Sequence, residues 1–337
     1  MKSKQDFNMH THTKRCGHAY GDDEQYVLAA IDAGFKQLGF SEHIGYTWFD
    51  IPTDRMLYRD TNDYLTSIYH LKEKYRDKID IKVGFEIEYY DSEVDFLKDM
   101  RERCDYMIVG QHCKYVDGFG FDYLCRDEDV RDYTDLVCKA MRSGLVSCLA
   151  HPDYFMLGRR SFSKACEEAA HQIAQCAVDC DVLLEVNLKG RKSGKKPYAQ
   201  GDAYPYPYRP FWEIIAQYPV QCVYGYDAHV PVDLLDERAI DECNKLIEGL
   251  NLTFEVRDGI RNHQTKGNPA TLEGKIVRLS DKIAYIHHDC DDAVRAGILR
   301  EEDIPASVQD VVGRTTGERL DHFIHDIVTN SFGRNDI

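Results

Sequence analysis

DFNMHTHTKRCGHAYGDDEQYVLAAIDAGFKQLGFSEH, residues 6–43, is the stretch on which the fold turns. DFNMH (6–10) reads as a short strand. DEQYVLAAIDAGF (23–35) carries apolar residues at helical spacing and runs out at a glycine. QLGFSEH (37–43) is a second run of strand length. A strand, a helix and another strand in that order predict parallel pairing. His10 and His12 stand two apart at the end of the first strand, so their side chains share a face. His18 follows in the loop, and His43 closes the second strand.

Working outward, the same unit recurs. Helices are expected over 61–77, 92–103, 127–144, about 162–178, near 210–217 and over 236–250. Strands are expected over 81–89, 106–112, 146–152, 182–187 and 221–229, with 251–256 as a candidate last strand. Seven or eight such units point to a closed or distorted barrel rather than an open sheet. From about residue 257 the alternation stops. Residues 272–297 read as one long helix and 317–331 as another, so a domain boundary is expected in 249–260. A length of 337 residues agrees with about two domains.

Composition excludes several classes. Lys plus Arg is 42, Asp plus Glu is 58, and the net charge is -16. A protein held to nucleic acid by phosphate contacts needs a basic face, and so does one held to an anionic membrane. No nucleic-acid or membrane partner is therefore expected. No apolar run of 18 residues occurs, and the first residues have no apolar core of signal-peptide type. The 12 cysteines show no Cys-x-x-Cys spacing, Cys176 and Cys180 being the closest pair. They read as reduced thiols of a cytoplasmic protein.

The histidines carry more. His10, His12, His18, His43, His112, His151 and His229, with Glu86 and Asp227, all fall at or near strand ends. In a parallel barrel those ends open on one face, so residues from distant segments converge in one cleft. Such a nitrogen and oxygen set suits Zn, Mn or Fe and is too nitrogen-rich for Mg or Ca. Nine ligands exceed the needs of one ion, so two or three divalent ions are expected. A lone histidine at a strand end is more often a satisfied polar residue than a ligand. Nine candidates at corresponding ends of successive strands are not independent accidents. His70, His171, His322 and His325 fall on expected helices and read as solvated or packed.

His10-Thr11-His12-Thr13, Ser41-Glu42-His43, Gly84-Phe85-Glu86, His112, Ala150-His151-Pro152-Asp153 and Asp227-Ala228-His229 follow one another in an order that resembles the motifs of the PHP (polymerase and histidinol phosphatase) superfamily. The segment from Thr13 through Cys16 and His18 is similar to its histidinol-phosphatase branch. So is Leu184-Glu185-Val186-Asn187 followed by Gly190-Arg191-Lys192 and a Pro-Tyr-Pro segment. The resemblance spans about residues 5–255. It implies an α/β fold, a distorted (β/α)7 TIM-like barrel of PHP type, with a trinuclear site. It also implies hydrolysis of L-histidinol phosphate to L-histidinol and phosphate in histidine biosynthesis.

By the same resemblance, His10, His12, Glu86 and Asp227 hold one part of the cluster and its metal-bridging hydroxide. His18, His43, His112, His151 and His229 hold the rest. The hydroxide would attack phosphorus in line with the leaving oxygen. Arg159 or Arg160 and Arg191 are the candidate phosphate clamps, because a guanidinium offers paired donors. Glu42, Glu88 and Asp153 are candidates for holding the substrate amine. Glu42 stands where the family more often has Asp. The alternatives are another small phosphate ester or a nucleotide as substrate, or a non-catalytic interaction protein.

The segment 249–299 resembles the later part of bacterial HD-domain deoxynucleoside triphosphate triphosphohydrolases. Asp281, in Arg278-Leu279-Ser280-Asp281, matches that family's last metal-ligating Asp. Its upstream His and His-Asp pair have no counterpart, because the barrel occupies that stretch. One carboxylate does not hold a catalytic metal, so dNTP hydrolysis is not expected. The chain thus divides into a barrel, 1–255, and an all-α appendage, 256–337. The apolar faces of the appendage must pack on the barrel, pair with another chain as a homo-oligomer, or stay loosely ordered.

Overall fold

A computed structural model describes residues 5–247, the single positions 275, 279, 294 and 300, and residues 303–331. The chain divides into two compact units, Met1–Asn251 and Leu252–Ile337.

The first unit is a nearly closed parallel barrel. Its strands are β1 (Phe7–Asn8), β2 (Gln37–His43), β3 (Asp80–Ile87), β4 (Tyr106–Val109), β5 (Cys148–Leu149), β6 (Leu183–Asn187) and β9 (Cys222–Gly225). They lie side by side in that order, and every neighbouring pair is parallel. The connecting helices are α1 (Asp23–Asp32), α2 (Thr61–Lys74), α3 (Val94–Arg101), α4 (Asp127–Arg142), α5 (Lys164–Cys180) and α6 (Arg209–Ile215), with α7 (Ala239–Leu246) after the last strand. A small antiparallel hairpin, β7 (Lys196–Tyr198) and β8 (Gly201–Ala203), stands apart and is not among the sequence expectations.

Closure between the first and last strands is made just beyond them. Thr11 and Ala228 form a parallel bridge. His12 N–H donates to Ala228 O at 2.9 Å, and Ala228 N–H donates to His10 O at 3.1 Å. Asn8 crosses the same seam: its side-chain oxygen accepts from Tyr226 N–H at 3.0 Å, and its amide donates to Thr11 Oγ1 at 2.8 Å.

The interior is filled by side chains, as a barrel of this size requires. Tyr106 on β4 lies across Gly84 of the adjacent β3 and reaches Gly39 of β2, one strand further on. A Cβ at Gly39 would stand 2.3 Å from its hydroxyl, and one at Gly84 2.4 Å from its ring. The hydroxyl donates toward Met9 O at 2.8 Å and Phe40 O at 3.0 Å. Ile108, Cys148 and Ala150 pack beside it, with Met9, Leu183 and Val223. Outside the sheet, Tyr26 and Val27 of α1, Tyr64 and Ile68 of α2, and Tyr133 and Val137 of α4 are fully buried. These are the apolar stripes that the helical spacing predicts.

Five expected strands stop short of their apolar runs. The ladders end at Asn8, Ile87, Val109, Leu149 and Gly225, before the expected ends at 10, 89, 112, 152 and 229. At two of these ends, after Leu149 and Gly225, the reason is local: His151 (φ 30°) and Asp227 (φ 47°) take left-handed backbone conformations. A strand cannot continue through such a residue, and the turn swings the side chain inward. The expected helix over 236–250 is α7 preceded by a 3₁₀ turn, Pro231–Leu235.

In the second unit the described helices are Ala306–Val312 and Thr316–Ser331, the latter where 317–331 was expected to be helical. The candidate strand 251–256, Asp281 and nearly all of the expected helix 272–297 lie outside the described residues. Among the described residues, no helix is long and apolar enough to cross a membrane, and the cysteines are free.

Candidate metal centre

The bridge at Thr11 sets the first two candidates. Because Thr11 pairs across the seam, His10 and His12 on either side of it both turn toward the barrel axis. Their Nε2 atoms are 3.1 Å apart. Glu86 rises from β3 between them, with Oε2 at 3.4 Å from each. The same oxygen is 3.0 Å from His43 Nδ1, while Oε1 is 3.0 Å from His151 Nε2 and 3.8 Å from His112 Nε2. Asp227 Oδ1 approaches from the far side, 3.3 Å from His12 Nε2 and 3.7 Å from His10 Nε2. His229 packs on His12 at 4.2 Å between ring centroids, and His18 on His229 at 4.7 Å. All nine residues expected from the sequence are thus brought to one end of the barrel.

Glu86 needs room that a neighbouring glycine supplies. A Cβ at Gly110 would stand 1.8 Å from Glu86 Oε1. The strained backbones of His151 and Asp227 belong to the same end, where stored strain often marks function.

The electrostatics follow from burial and crowding. Burial resists ionisation of Glu86, yet His10, His43 and His112 hold its carboxyl well below the usual range. Asp227 is lowered too, against burial, by Lys189 and His10. Burial and the nearby His12 push His43 down to about 3. Burial and His229 hold His12 well below the ordinary imidazole value. For His10 burial is overruled by Glu185, Asp227 and Glu86, and its pKa is raised. Glu86 Oε2, His12 Nδ1 and His151 Nδ1 are buried without a hydrogen bond. Two ionised carboxylates facing imidazole nitrogens, with buried polar atoms left over, form a donor set that divalent cations complete.

Glu185 is a residue that the sequence reading missed. Its Oε2 lies 2.8 Å from His10 Nδ1, which fixes the tautomer and turns Nε2 toward the cluster. A Cβ at Gly225 would stand 1.9 Å from this carboxylate. The available signal was an acidic residue in the middle of the apolar strand VLLEVN.

A cavity of about 180 Å³ opens above the cluster. It is lined by His18, His43, His112 and His151, by Tyr154, Leu157 and Tyr206, and by two cations, Arg55 and Lys189. Arg55 NH1 donates to Glu88 Oε2 at 2.7 Å, and its guanidinium lies 5.5 Å over the Tyr46 ring. Lys189 Nζ is 2.9 and 3.1 Å from the two ring nitrogens of His229.

These two cations line the cavity, whereas the arginines expected from the sequence make their bonds elsewhere. Arg159 donates to Cys125 O at 2.8 Å, Asp127 Oδ1 at 2.6 Å and Ser163 Oγ at 2.8 Å, tying the starts of α4 and α5 together. Arg160 donates to the Arg159 carbonyl and is exposed. Arg191 pairs with Asp236 and with Glu242. None of the three lines the cavity.

The acidic candidates divide. Glu42 is fully buried and accepts from Thr13 N–H, the Thr13 hydroxyl and His43 N–H, so it braces the loop and does not reach the cavity. Asp153 accepts from Tyr208 N–H at 2.6 Å and Trp212 Nε1–H at 3.0 Å, anchoring α6, and burial pushes it up to about 7. Glu88 does line the cavity, and Asp54 joins it there. His70 and His171 sit exposed on α2 and α5, and His322 and His325 are exposed on the last helix, as expected.

A family model described as the PHP domain matches residues 8–189, more than half of the chain. The chain belongs to this family. Among PHP-type relatives, a "Probable histidinol-phosphatase" of Deinococcus radiodurans is 28% identical over 262 residues, covering 74% of this chain and 96% of that protein. The crystal structure of histidinol phosphate phosphatase from Lactococcus lactis, complexed with zinc, L-histidinol and phosphate, shares the fold. Its TM-score is 0.58 at 17% identity, over 74% of this chain and 95% of that one. A different relative is the deoxyguanosinetriphosphate triphosphohydrolase-like protein of Caldanaerobacter subterraneus, 50% identical over 90 residues. The match covers 27% of this chain, which spans only about a quarter of that relative's length.

Proposed function

We propose that the chain is a metal-dependent phosphomonoesterase acting on histidinol phosphate. The observation that carries this reading is the convergence of seven histidines, Glu86 and Asp227 beneath a cavity walled by two cations. His10, His12, His43, His112, His151, Glu86 and Asp227 would hold divalent ions of the Zn, Mn or Fe class, with His18 and His229 beside them. Bound there, such ions supply Lewis acidity to phosphoryl oxygens and lower the pKa of an attacking water.

The remaining work falls to the chain itself. Glu185 keeps His10 in the tautomer that presents Nε2. Glu88 Oε1 accepts the backbone N–H groups of His112 and Cys113 at 3.0 and 2.8 Å, and so fixes the loop that carries His112. Arg55 and Lys189 face the charge on the phosphoryl oxygens. Tyr154, Tyr206 and Leu157 offer a flat apolar wall for a small ring. Asp54, at the cavity wall, offers negative charge to an ammonium group, while Glu88 is already paired with Arg55. The relative named as a histidinol-phosphatase, covered along almost its whole length, supports that substrate over other esters. The segment 256–337 is read as an appendage without a catalytic centre of its own.

The test is phosphate release by the purified chain loaded with Mn, Zn or Fe. Histidinol phosphate, nucleoside monophosphates and deoxynucleoside triphosphates are compared. Turnover is expected with histidinol phosphate. No release from any monoester, with bound metal confirmed, would overturn the phosphatase reading. Preference for a nucleotide would overturn the substrate alone.

A further inference from the structure

Three of the described cysteines gather on two helices of the barrel's outer layer. Cys138 lies in the later turns of α4, and Cys176 and Cys180 lie one turn apart in the second half of α5. Cys176 Sγ stands 3.6 Å from the Cys138 carbonyl, and Cys138 Sγ stands 4.0 Å from the Gln172 carbonyl. Each sulfur therefore already rests on the backbone of the other's helix. Cys180 Sγ is 4.0 Å from Cys176 Sγ and is partly exposed. A cavity of about 240 Å³ opens over the group. Its lining includes Cys138 and Cys176, Arg131 and Arg142 of α4, and Gln172 and Gln175 of α5. Cys138 and Cys176 are buried, yet both border a space large enough for a reagent of a few atoms.

The two buried thiols are chemically unlike. The hydrogen bond from Cys176 lowers the Cys138 pKa against burial, and Arg142 adds to the effect. The same hydrogen bond, together with burial, pushes Cys176 up. Burial pushes Cys104, Cys113, Cys125 and Cys243 up as well. A thiolate with a thiol at its side is the arrangement in which the first attacks an oxidant and the second resolves the product.

We propose that Cys138 and Cys176 are a site of oxidation by hydrogen peroxide, closing to a disulfide that ties α4 to α5. The Cys138 thiolate attacks one oxygen of the peroxide, so that an S–O bond forms and the O–O bond breaks. The departing hydroxide takes up a proton and leaves as water. Cys176 then attacks the sulfenic sulfur: the S–S bond forms, the S–O bond breaks, and the hydroxyl leaves with the Cys176 proton as a second water. The two thiols together lose two electrons, and one peroxide is reduced. The remaining approach to an S–S bond of about 2 Å is covered by side-chain rotation, without displacement of either helix. β5 and His151 lie between α4 and α5 in the chain, so the bridge fastens the segment that carries one candidate metal ligand.

Peptide mapping tests the proposal without recourse to activity. The full chain is loaded with zinc, which is redox-inert, treated with a small excess of hydrogen peroxide, alkylated, digested and analysed by mass spectrometry. A linked Cys138–Cys176 peptide that dithiothreitol separates is expected. In Cys176→Ser, dimedone is expected to label Cys138 at least about tenfold faster than it labels Cys176 in Cys138→Ser. If both cysteines remain alkylatable at a dose that oxidises the more exposed Cys180, the proposal is overturned. A Cys176–Cys180 bridge in place of the expected one overturns it, and so does equal labelling of the two variants. If either variant does not fold, the wild-type linkage map decides. The phosphatase reading stands or falls separately from each of these outcomes.

Discussion

Tyr106 and Glu86 each lie across a glycine of a neighbouring strand, at two levels of the same barrel. At the inner level, Gly39 and Gly84 yield their side-chain space to an aromatic ring that fills the core and caps two carbonyls. At the level of the strand ends, Gly110 and Gly225 yield theirs to the carboxylates of Glu86 and Glu185, which gather and orient histidines. The packing device is the same and the chemistry is opposite. One level spends the space on apolar burial, which stabilises. The other spends it on buried charge, which is costly until a cation completes it. Stability and chemistry should therefore be separable by substitutions only a few residues apart.

The sharpest break of that division is His12→Ala. Phosphate release is expected to fall by more than about 10³-fold, while circular dichroism of the metal-free chain stays native. Activity within tenfold of wild type would refute the assignment of the strand-end level to chemistry.

The next effect is in pH. His43 stays neutral in the fold, down to about 3, whereas an unfolded imidazole takes its proton near 6.5. The unfolded chain thus binds more protons below that value, and the fold loses stability as the pH falls from it. About 2 kcal/mol should go between pH 6.5 and about pH 4.5. Urea unfolding of metal-free wild type and His43→Asn at the two pH values checks this. Equal slopes for both proteins would show that His43 does not carry the loss.

A paired substitution compares the levels directly. Gly110→Ala drives a methyl into Glu86 and should lower metal affinity by about 10- to 100-fold, with the fold retained. Gly84→Ala drives one into Tyr106 and should cost about 1–3 kcal/mol of stability, with turnover per folded molecule unchanged. Exchange of these two outcomes would break the comparison. The smallest effect is reserved for Arg159→Met. Loss of its bonds to Cys125, Asp127 and Ser163 should cost about 1–3 kcal/mol and leave KM within twofold. A large rise in KM would return Arg159 to the substrate.

The barrel and the strand-end residues were legible because each follows from a period. Alternating runs gave the strands and helices, and the two-residue spacing of His10 with His12 and of Asp227 with His229 put each pair on one face. Loops have no period. Arg159 and Arg160 stand close to the His151 motif in sequence, but nothing there shows that Arg159 turns away to Asp127 on another helix. Arg55 and Lys189 reach the cavity from the turns after β2 and β6, where a charged residue looks like any solvated one. The short ladders were illegible for a related reason. Left-handed backbones at His151 and Asp227 end two of them; both residue types favour that conformation, but too weakly to mark a single position in the sequence.

The seam at Thr11 and Ala228 also bears on how the protein comes into being. Asn8 and Tyr226, 218 residues apart, must meet before the first and last strands join. His10 and His12 flank one side of that junction, and Asp227 and His229 the other. A nascent chain that stops short of residue 227 carries seven of the nine candidate ligands, yet it has no closed seam against which His10 and His12 are set. What the last strand adds is therefore less the ligands themselves than the closure that brings the early ones to face Asp227.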